Sequence, residues 1–429
     1  MERYSEYKDS GEQWLGDIPS HWEMRKAKYL WEETDARSES GSEQLLSVSQ
    51  YDGVKPSEEE SRSESLDGYK IVKKDELVIN IMLAWLGGLG VSSYEGLVSP
   101  AYCVYKLFDK QNPKYLHYLY KTPTYLAEFA RRSTGIVPSR WRMYTDDFGQ
   151  VLTLLPPLSE QSAIVAYLDR VTSQLDEAIA QQQRMIDLLN ERKQIIIQHA
   201  VTKGLNPKAE MVESGSNFIG EIPVSWKVCK TLYVLVRQIT DGPHTTPTLY
   251  SEGIPFVSAE AVSCGNGHID FSHIRGFISE SFYKECCKKY IPRVDDIYMI
   301  KSGATTGKVA IVDTNEKFTI WSPLAVFRAN TLIMLPHFLY FALQSRYYQL
   351  QVQDKWSFGT QQNIGMRALE KLLLCYPPIE EQKIIIKYIE ERICKIDSAI
   401  SKCQHRITLL RERKQIIINE VVTGKVKVS

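Results

Sequence analysis

Two stretches of this chain place apolar residues at alternating steps of three and four. The first runs Val165, Leu168, Thr172, Leu175, Ile179, Gln182, Ile186, Leu189, Lys193, Ile196 and Ala200. The second, 221 residues further on, runs Ile386, Ile389, Ile393, Ile396, Ile400, Cys403, Ile407, Leu410, Lys414, Ile417 and Val421. Such spacing puts one narrow seam along a helix, as in a coiled coil. Pro-Pro precedes each stretch and Gly follows it, which suits helix entry and exit. Glu160 and Glu381 sit early, where the helix dipole favours negative charge. Two seams of equal length in one chain predict that the helices pack on each other, over roughly 36 residues or about 54 Å. Lys193 and Lys414 share one seam step. They either fix register or, as the simpler reading, snorkel at a solvated helix end.

The stretches are copies. Residues 155–204 align without gaps on 376–425, with 22 identities in 50 positions. A second block recurs as well: SGEQWLGDIPSHW at 10–22 returns as SGSNFIGEIPVSW at 214–226. The order is lobe, helix, lobe, helix, so the expected divisions are 1–154, 155–204, 205–375 and 376–429. The joint VTKGLNPKAEMVESG reads as a loop. The two chain ends resemble the two sides of that joint, which predicts neighbouring termini and approximate twofold symmetry. Between the copies lie short strand-like runs (Tyr69–Val72, Leu77–Ile81, Ala101–Leu107; Ile297–Ile300, Val309–Val312, Leu324–Phe327) and helical stretches (Pro113–Ala130, Pro336–Gln351). The lobes are therefore expected to be α+β. They agree at D-E-L-V-I against D-D-I-Y-M and at V-S-P-A-Y-C-V-Y against W-S-P-L-A-V-F-R, and diverge between.

Composition narrows the classes. A chain of 429 residues with 43% hydrophobic content has ample material for packed cores. Its 52 basic and 52 acidic side chains exclude a uniformly basic protein, so contact with a polyanion must come from local faces. The acidic stretch 51–67 would face away from such a partner. The eight cysteines form no C-x-x-C pair and read as reduced thiols. No run is apolar enough for a membrane span and the first residues show no apolar core of a signal, so a cytoplasmic location without membrane association is expected.

Motifs for chemistry are missing. G-A-T-T-G-K at 303–308 has three residues between its glycines where a phosphate loop has four, and Val309 replaces the metal-binding hydroxyl; it reads as a turn. Cys264, His268, His273, Cys286 and Cys287 have no standard zinc spacing. The informative residues are polar and basic. Arg131, Arg132, Arg140 and Arg142 lie among Ser139, Trp141 and Tyr144, and suit phosphate and base-edge contacts; pairing with Asp146 and Asp147 is the alternative. Asn80 and Trp85 join them as candidates. In the second lobe, DGPHTTP, KSGATTGK and GTQQNIG offer Asp241, His244, Thr245, Thr246, Lys301, Ser302, Thr305, Thr306, Lys308, Gln361, Gln362 and Asn363. Asn and Gln can bond adenine in a bidentate manner, and Lys and Thr can contact phosphate. Alternatively these are turns satisfied by their own side chains.

W-L-G-x-I-P-x-x-W and its second copy, P-P-L/I-x-E-Q (156–161 and 377–382), E-R-K-Q-I-I-I (191–197 and 412–418) and DGPHTTP together resemble the specificity subunits of type I restriction–modification systems. The resemblance covers essentially the whole chain. It implies two target-recognition domains held apart by an antiparallel coiled coil, whose helix seam is Leu168, Leu175, Ile179, Ile186, Leu189 and Ile196 against Ile389, Ile396, Ile400, Ile407, Leu410 and Ile417. Each domain would read one half of a split double-stranded DNA target, with the helices setting the spacer. The chain itself would be non-catalytic and hold no cofactor or metal. Two methyltransferase subunits using S-adenosylmethionine for adenine N6 methylation, and two restriction subunits using ATP and Mg, would be its partners. A coiled-coil scaffold that binds only protein is the competing class. The first lobe departs from the family pattern: it has no D-G-x-H-x-T-P near 35–43.

Overall fold

The computed structural model describes residues 2–50, 53–57, 65–137, 140–358 and 362–428. The chain forms two units: residues 1–183 with 404–429, and residues 184–403. Each contains one lobe and a stretch of both long helices, Leu158–Lys203 and Ile379–Val422.

The seam positions govern the helix pairing. Every seam residue from Val165 to Ala200 and from Ile386 to Val421 is buried or half-buried, while most positions between them are exposed. In the first unit Ile164, Val165, Leu168 and Leu175 share a core with Ile417, Ile418, Val421 and Val422. In the second, Ile197, Ala200 and Val201 share one with Ile385 and Ile389. Snorkelling does not describe the seam lysines. Lys193 Nζ reaches Asp397 at 2.9 Å, and Lys414 Nζ reaches Asp176 at 2.7 Å. Moving from Lys193 back to Asp176 along one helix corresponds to moving the same distance forward along the other, from Asp397 to Lys414. Only antiparallel helices pair in this way, and each ammonium finds a carboxylate of the partner helix instead of water.

The repeated W-L-G-x-I-P-x-x-W block makes a small hairpin that seals a helix end. Tyr7–Asp9 pairs with Asp17–Pro19, and Met211–Glu213 with Glu221–Pro223. The joint expected to be a loop therefore contains a strand, because Met211–Glu213 lies opposite the repeated E-I-P. Ile18, Trp22, Ile222 and Trp226 bury their side chains, and the two indole N–H groups donate to Glu160 and Glu381, each at 3.2 Å. Trp226 lies against Gly204, which ends the first long helix in the left-handed region at φ +69°. Trp22 lies against Gly424, the equivalent end of the second helix at φ +75°. The left-handed turn favours glycine; an added Cβ would lie 3.2 Å from the indole in each case, and at Gly424 only 2.4 Å from the Pro19 ring. Glu2 and Lys427 pair through their backbones, so the termini are neighbours.

Each lobe is built on one four-stranded antiparallel sheet. The first has the order Trp31–Thr34, Tyr102–Leu107, Leu77–Asn80, Leu89–Val91. The second has the order Thr240–Asp241, Leu324–Phe327, Ile297–Ile300, Val309–Ile311. The shared D-E-L and D-D-I motifs open the equivalent strands: Asp75 and Asp295 both adopt positive φ, near 70°. Glu76 and Asp296 then accept the backbone N–H of Lys73 and Arg293, at 2.7 and 2.9 Å. Where one helix was expected after each sheet, two form. Pro123 forces Thr122 into an extended conformation between Pro113–Tyr120 and Pro123–Arg132. Ser345 breaks Pro336–Gln344 from Arg346–Asp354. The second lobe also carries the strands Phe277–Ile278, Ile254–Val257 and Thr319–Ile320, with the helix Glu280–Lys289.

Candidate nucleic-acid interface

In the first lobe the candidate residues separate into an anchored pair and a presented group. Arg131 and Arg132 end the helix Pro123–Arg132, one turn beyond the fully buried Glu128. Arg131 donates to both Glu128 oxygens, at 2.6 and 2.8 Å, and Arg132 Nε donates at 2.5 Å. Burial pushes the Glu128 carboxyl up, but the two guanidinium groups outweigh it and hold it below the ordinary range. The acid neutralising this pair is thus Glu128, not Asp146 or Asp147. A second group adjoins it, since Arg142 pairs with Thr134 two residues beyond Arg132 and the turn holding Trp85 packs on the same helix. Asn80 is buried and its Oδ1 accepts the Met82 N–H at 3.1 Å, so it shapes the turn instead of facing a ligand. Trp85 meets Trp141 edge to face, with ring centroids 5.2 Å apart. Arg142 donates to the Trp141 carbonyl at 2.8 Å; Arg140 and Tyr144 are exposed. Ser139 lies outside the described residues.

In the second lobe a single carboxylate gathers three loops. Asp241 is 1% exposed at the end of its strand. Lys289 from the helix Glu280–Lys289 donates to its Oδ1, while Lys301 and His244 approach Oδ2 at 3.4 and 3.1 Å. Asp241 therefore cannot touch a base or phosphate: it fixes the cations that could. Lys301 also joins the third loop. Its carbonyl accepts the Ile364 N–H at 2.9 Å, and Ser302 pairs with Asn363 through the backbone. Thr245 and Thr246 are exposed beside His244. Gly303–Lys308 forms the expected turn between strands, closed by Gly307 N–H to the Ile300 carbonyl at 2.8 Å. Thr305 is half-buried within it, and Gln362 and Asn363 lie on the adjoining short strand. Lys308 lines a groove with Asn190, Gln194 and Gln349, whereas the Thr306 hydroxyl donates to the Gly303 carbonyl at 2.7 Å and satisfies its own turn. Gln361 lies outside the described residues.

Lys289 and Glu128 escaped the sequence reading. Nothing local marks Lys289, since its partner is 48 residues away. Glu128 could have been found from its spacing to Arg131 and Arg132 on one helix face. The cysteine–histidine set that lacked zinc spacing is dispersed: His268 pairs with Asp313 at 2.9 Å and His273 with Asp270 at 2.7 Å. Among the described residues no group of three or more His, Cys, Asp or Glu could hold a metal ion. Nor is any helix among them long and apolar enough to cross a membrane.

Two similar α+β lobes, each packed with stretches of both long helices and carrying unlike loops on a common frame, define a duplicated architecture. The family model described as the type I restriction modification DNA specificity domain matches residues 246–402. The type I restriction enzyme MjaVIII specificity subunit of Methanocaldococcus jannaschii is 25% identical over 84% of this chain and 82% of its own. The putative type I restriction enzyme MjaX specificity subunit of the same organism is 24% identical over 96% of both chains. A chain from a structure addressing complex assembly and conformational transition of the type I R-M system covers 95% of this chain and 99% of its own length, at 16% identity and a TM-score of 0.65; that likeness shows the fold. The resemblance to type I restriction–modification specificity subunits, drawn from the repeated motifs, is thereby shown.

Proposed function

We propose that this chain is the non-catalytic subunit that gives a type I restriction–modification complex its DNA sequence specificity. Each lobe reads one half of a bipartite double-stranded target, and the paired helices set the unread spacer. The observation that carries this reading is the repeated four-stranded frame bearing different loops: Trp85, Trp141, Arg140 and Arg142 in one lobe, and the Asp241-centred cations with Thr245, Thr246 and Asn363 in the other. One frame with two surfaces suits two different half-sites, since base edges are read by side-chain identity and loop geometry. Methyltransferase and restriction subunits are the partners in this reading, and S-adenosylmethionine, ATP and Mg are theirs to bind.

Modified-base sequencing of host DNA with and without this gene is the test. Loss of a split N6-methyladenine motif on deletion is expected. Unchanged methylation, with the chain and its methyltransferase expressed, would overturn the proposal and favour a protein-binding scaffold.

A further inference from the structure

The two lobes carry one small helix in common, but with different charge. Thr145–Gly149 packs on the short 3-10 helix Ala27–Tyr29 in the first lobe, and Met366–Lys371 packs on Thr231–Val234 in the second. Buried Phe148 and Leu369 hold the two helices in equivalent register, 221 residues apart. At that offset Asp146 becomes Arg367 and Gln150 becomes Lys371. Lys26 and Lys230, matched by the 204-residue offset, end the strands that enter the two 3-10 helices. Lys26 donates to Gln150 at 2.8 Å. In the second lobe Lys230, Arg367 and Lys371 are exposed and line one hollow with Tyr233. None of these three cations has an ion-pair partner among the described residues. The acid lining the hollow is Glu370, and its Oε1 accepts the Ile239 N–H at 2.9 Å.

That hydrogen bond ties the basic face to the candidate interface. Ile239 precedes Asp241 by two residues, about 7 Å of extended chain, and Arg367 follows Asn363 by four. Unpaired cations beside groups suited to base edges fit phosphates, which position a duplex without reporting its sequence; a tyrosine hydroxyl fits them too. We infer that Lys230, Arg367 and Lys371, with Tyr233, grip the DNA backbone beside the half-site of the second lobe. The equivalent helix of the first lobe opens with Asp146 and Asp147, which repel phosphate. The second lobe then supplies more of the salt-sensitive, sequence-independent affinity. This inference rests on the proposed function, and its failure can be told apart from the failure of that reading.

The test uses the full chain with its methyltransferase subunits, titrated by fluorescence anisotropy onto a duplex carrying the host motif found by modified-base sequencing and onto an unrelated duplex. Titrations span about 50 to 200 mM salt, and comparison of variant with wild type cancels the contacts made by the methyltransferase subunits. Arg367→Gln combined with Lys371→Gln should flatten the slope of log affinity against log salt by about 2, and Lys230→Gln by about 1, since each neutralised phosphate contributes about 0.9. Both duplexes should lose affinity by the same factor, with the methylated motif unchanged. Arg367→Lys should keep the wild-type slope. Lys26→Gln, the first-lobe equivalent of Lys230→Gln, controls for net charge and should also keep it. An unchanged slope in the double variant, or an equal flattening by Lys26→Gln, overturns the grip and leaves the specificity reading standing. An unchanged slope with methyltransferase subunits lost from the complex also overturns it, and gives the face to an acidic protein surface. Absence of any gene-dependent motif overturns both readings.

Discussion

The first and second lobes share a sheet order and a pair of left-handed aspartates, yet they hold their arginines and lysines by different means. In the first lobe the buried carboxylate, Glu128, sits one helical turn from the arginines it anchors, and the exposed cations lie on a separate hairpin. In the second, Asp241 draws Lys289 and Lys301 from segments distant in sequence and His244 from its own loop. Local anchoring permits one loop to change without disturbing another. Central anchoring makes the loops interdependent, because removing one partner strands a buried charge.

That contrast can be challenged most severely at the frame itself. Trp22→Ala and Trp226→Ala should each destabilise their own unit by about 3–5 kcal/mol, as loss of a large buried side chain does. Denaturant unfolding followed by hydrogen exchange in each unit checks this; a large inequality would break the equivalence of the two frames. Asp241→Asn should cost less overall, about 2–4 kcal/mol, but should loosen residues 241–247 and 301–308 together by hydrogen exchange. Glu128→Gln should loosen only the end of its own helix.

A pH difference should separate the lobes next. His117 Nδ1 accepts the Val91 N–H at 3.1 Å, and burial, helped by Lys121 and Lys114, pushes its pKa down to about 4. The unfolded chain therefore binds more protons between the ordinary value of about 6.5 and about 4. Stability from this site is complete above about pH 6.5 and is lost as pH falls through that window. The matching helix position in the second lobe is Tyr340, so the acid sensitivity should belong to the first unit. His117→Gln should flatten its pH profile between 7 and 4. The smallest effect concerns the helix clasps. Lys193→Ala and Lys414→Ala should each cost less than about 1 kcal/mol, and equally, because their aspartates are partly exposed and screened. Thermal melts at low and high salt would show unequal losses if the two clasps differ.

The frame was legible in the sequence because its causes are periodic or duplicated. A step of three and four marks the seam, and Trp22 and Trp226 repeat because each caps a helix end. The strand runs were visible as short apolar stretches, although the interruptions at Thr122 and Ser345 were not. The candidate interface was legible as residue type but not as arrangement. Asn80 and Asp241 look like readers of DNA by residue type, but Asn80 turns to the Met82 N–H and Asp241 to cations that include Lys289 and Lys301 from elsewhere in the chain. Lys193 and Lys414 stood out as polar seam residues, while their aspartates on the opposite helix carried no local mark.

The division of the two units has a consequence for manufacture of the molecule on the ribosome. Residues 184–403 are contiguous, whereas the first lobe shares its unit with residues 404–429, including the second helix's last turns and the strand segment that meets Glu2. Domains fold as units when their chain becomes available. The lobe synthesised first is therefore the one completed last, waiting through some two hundred residues of elongation before Gly424 reaches Trp22.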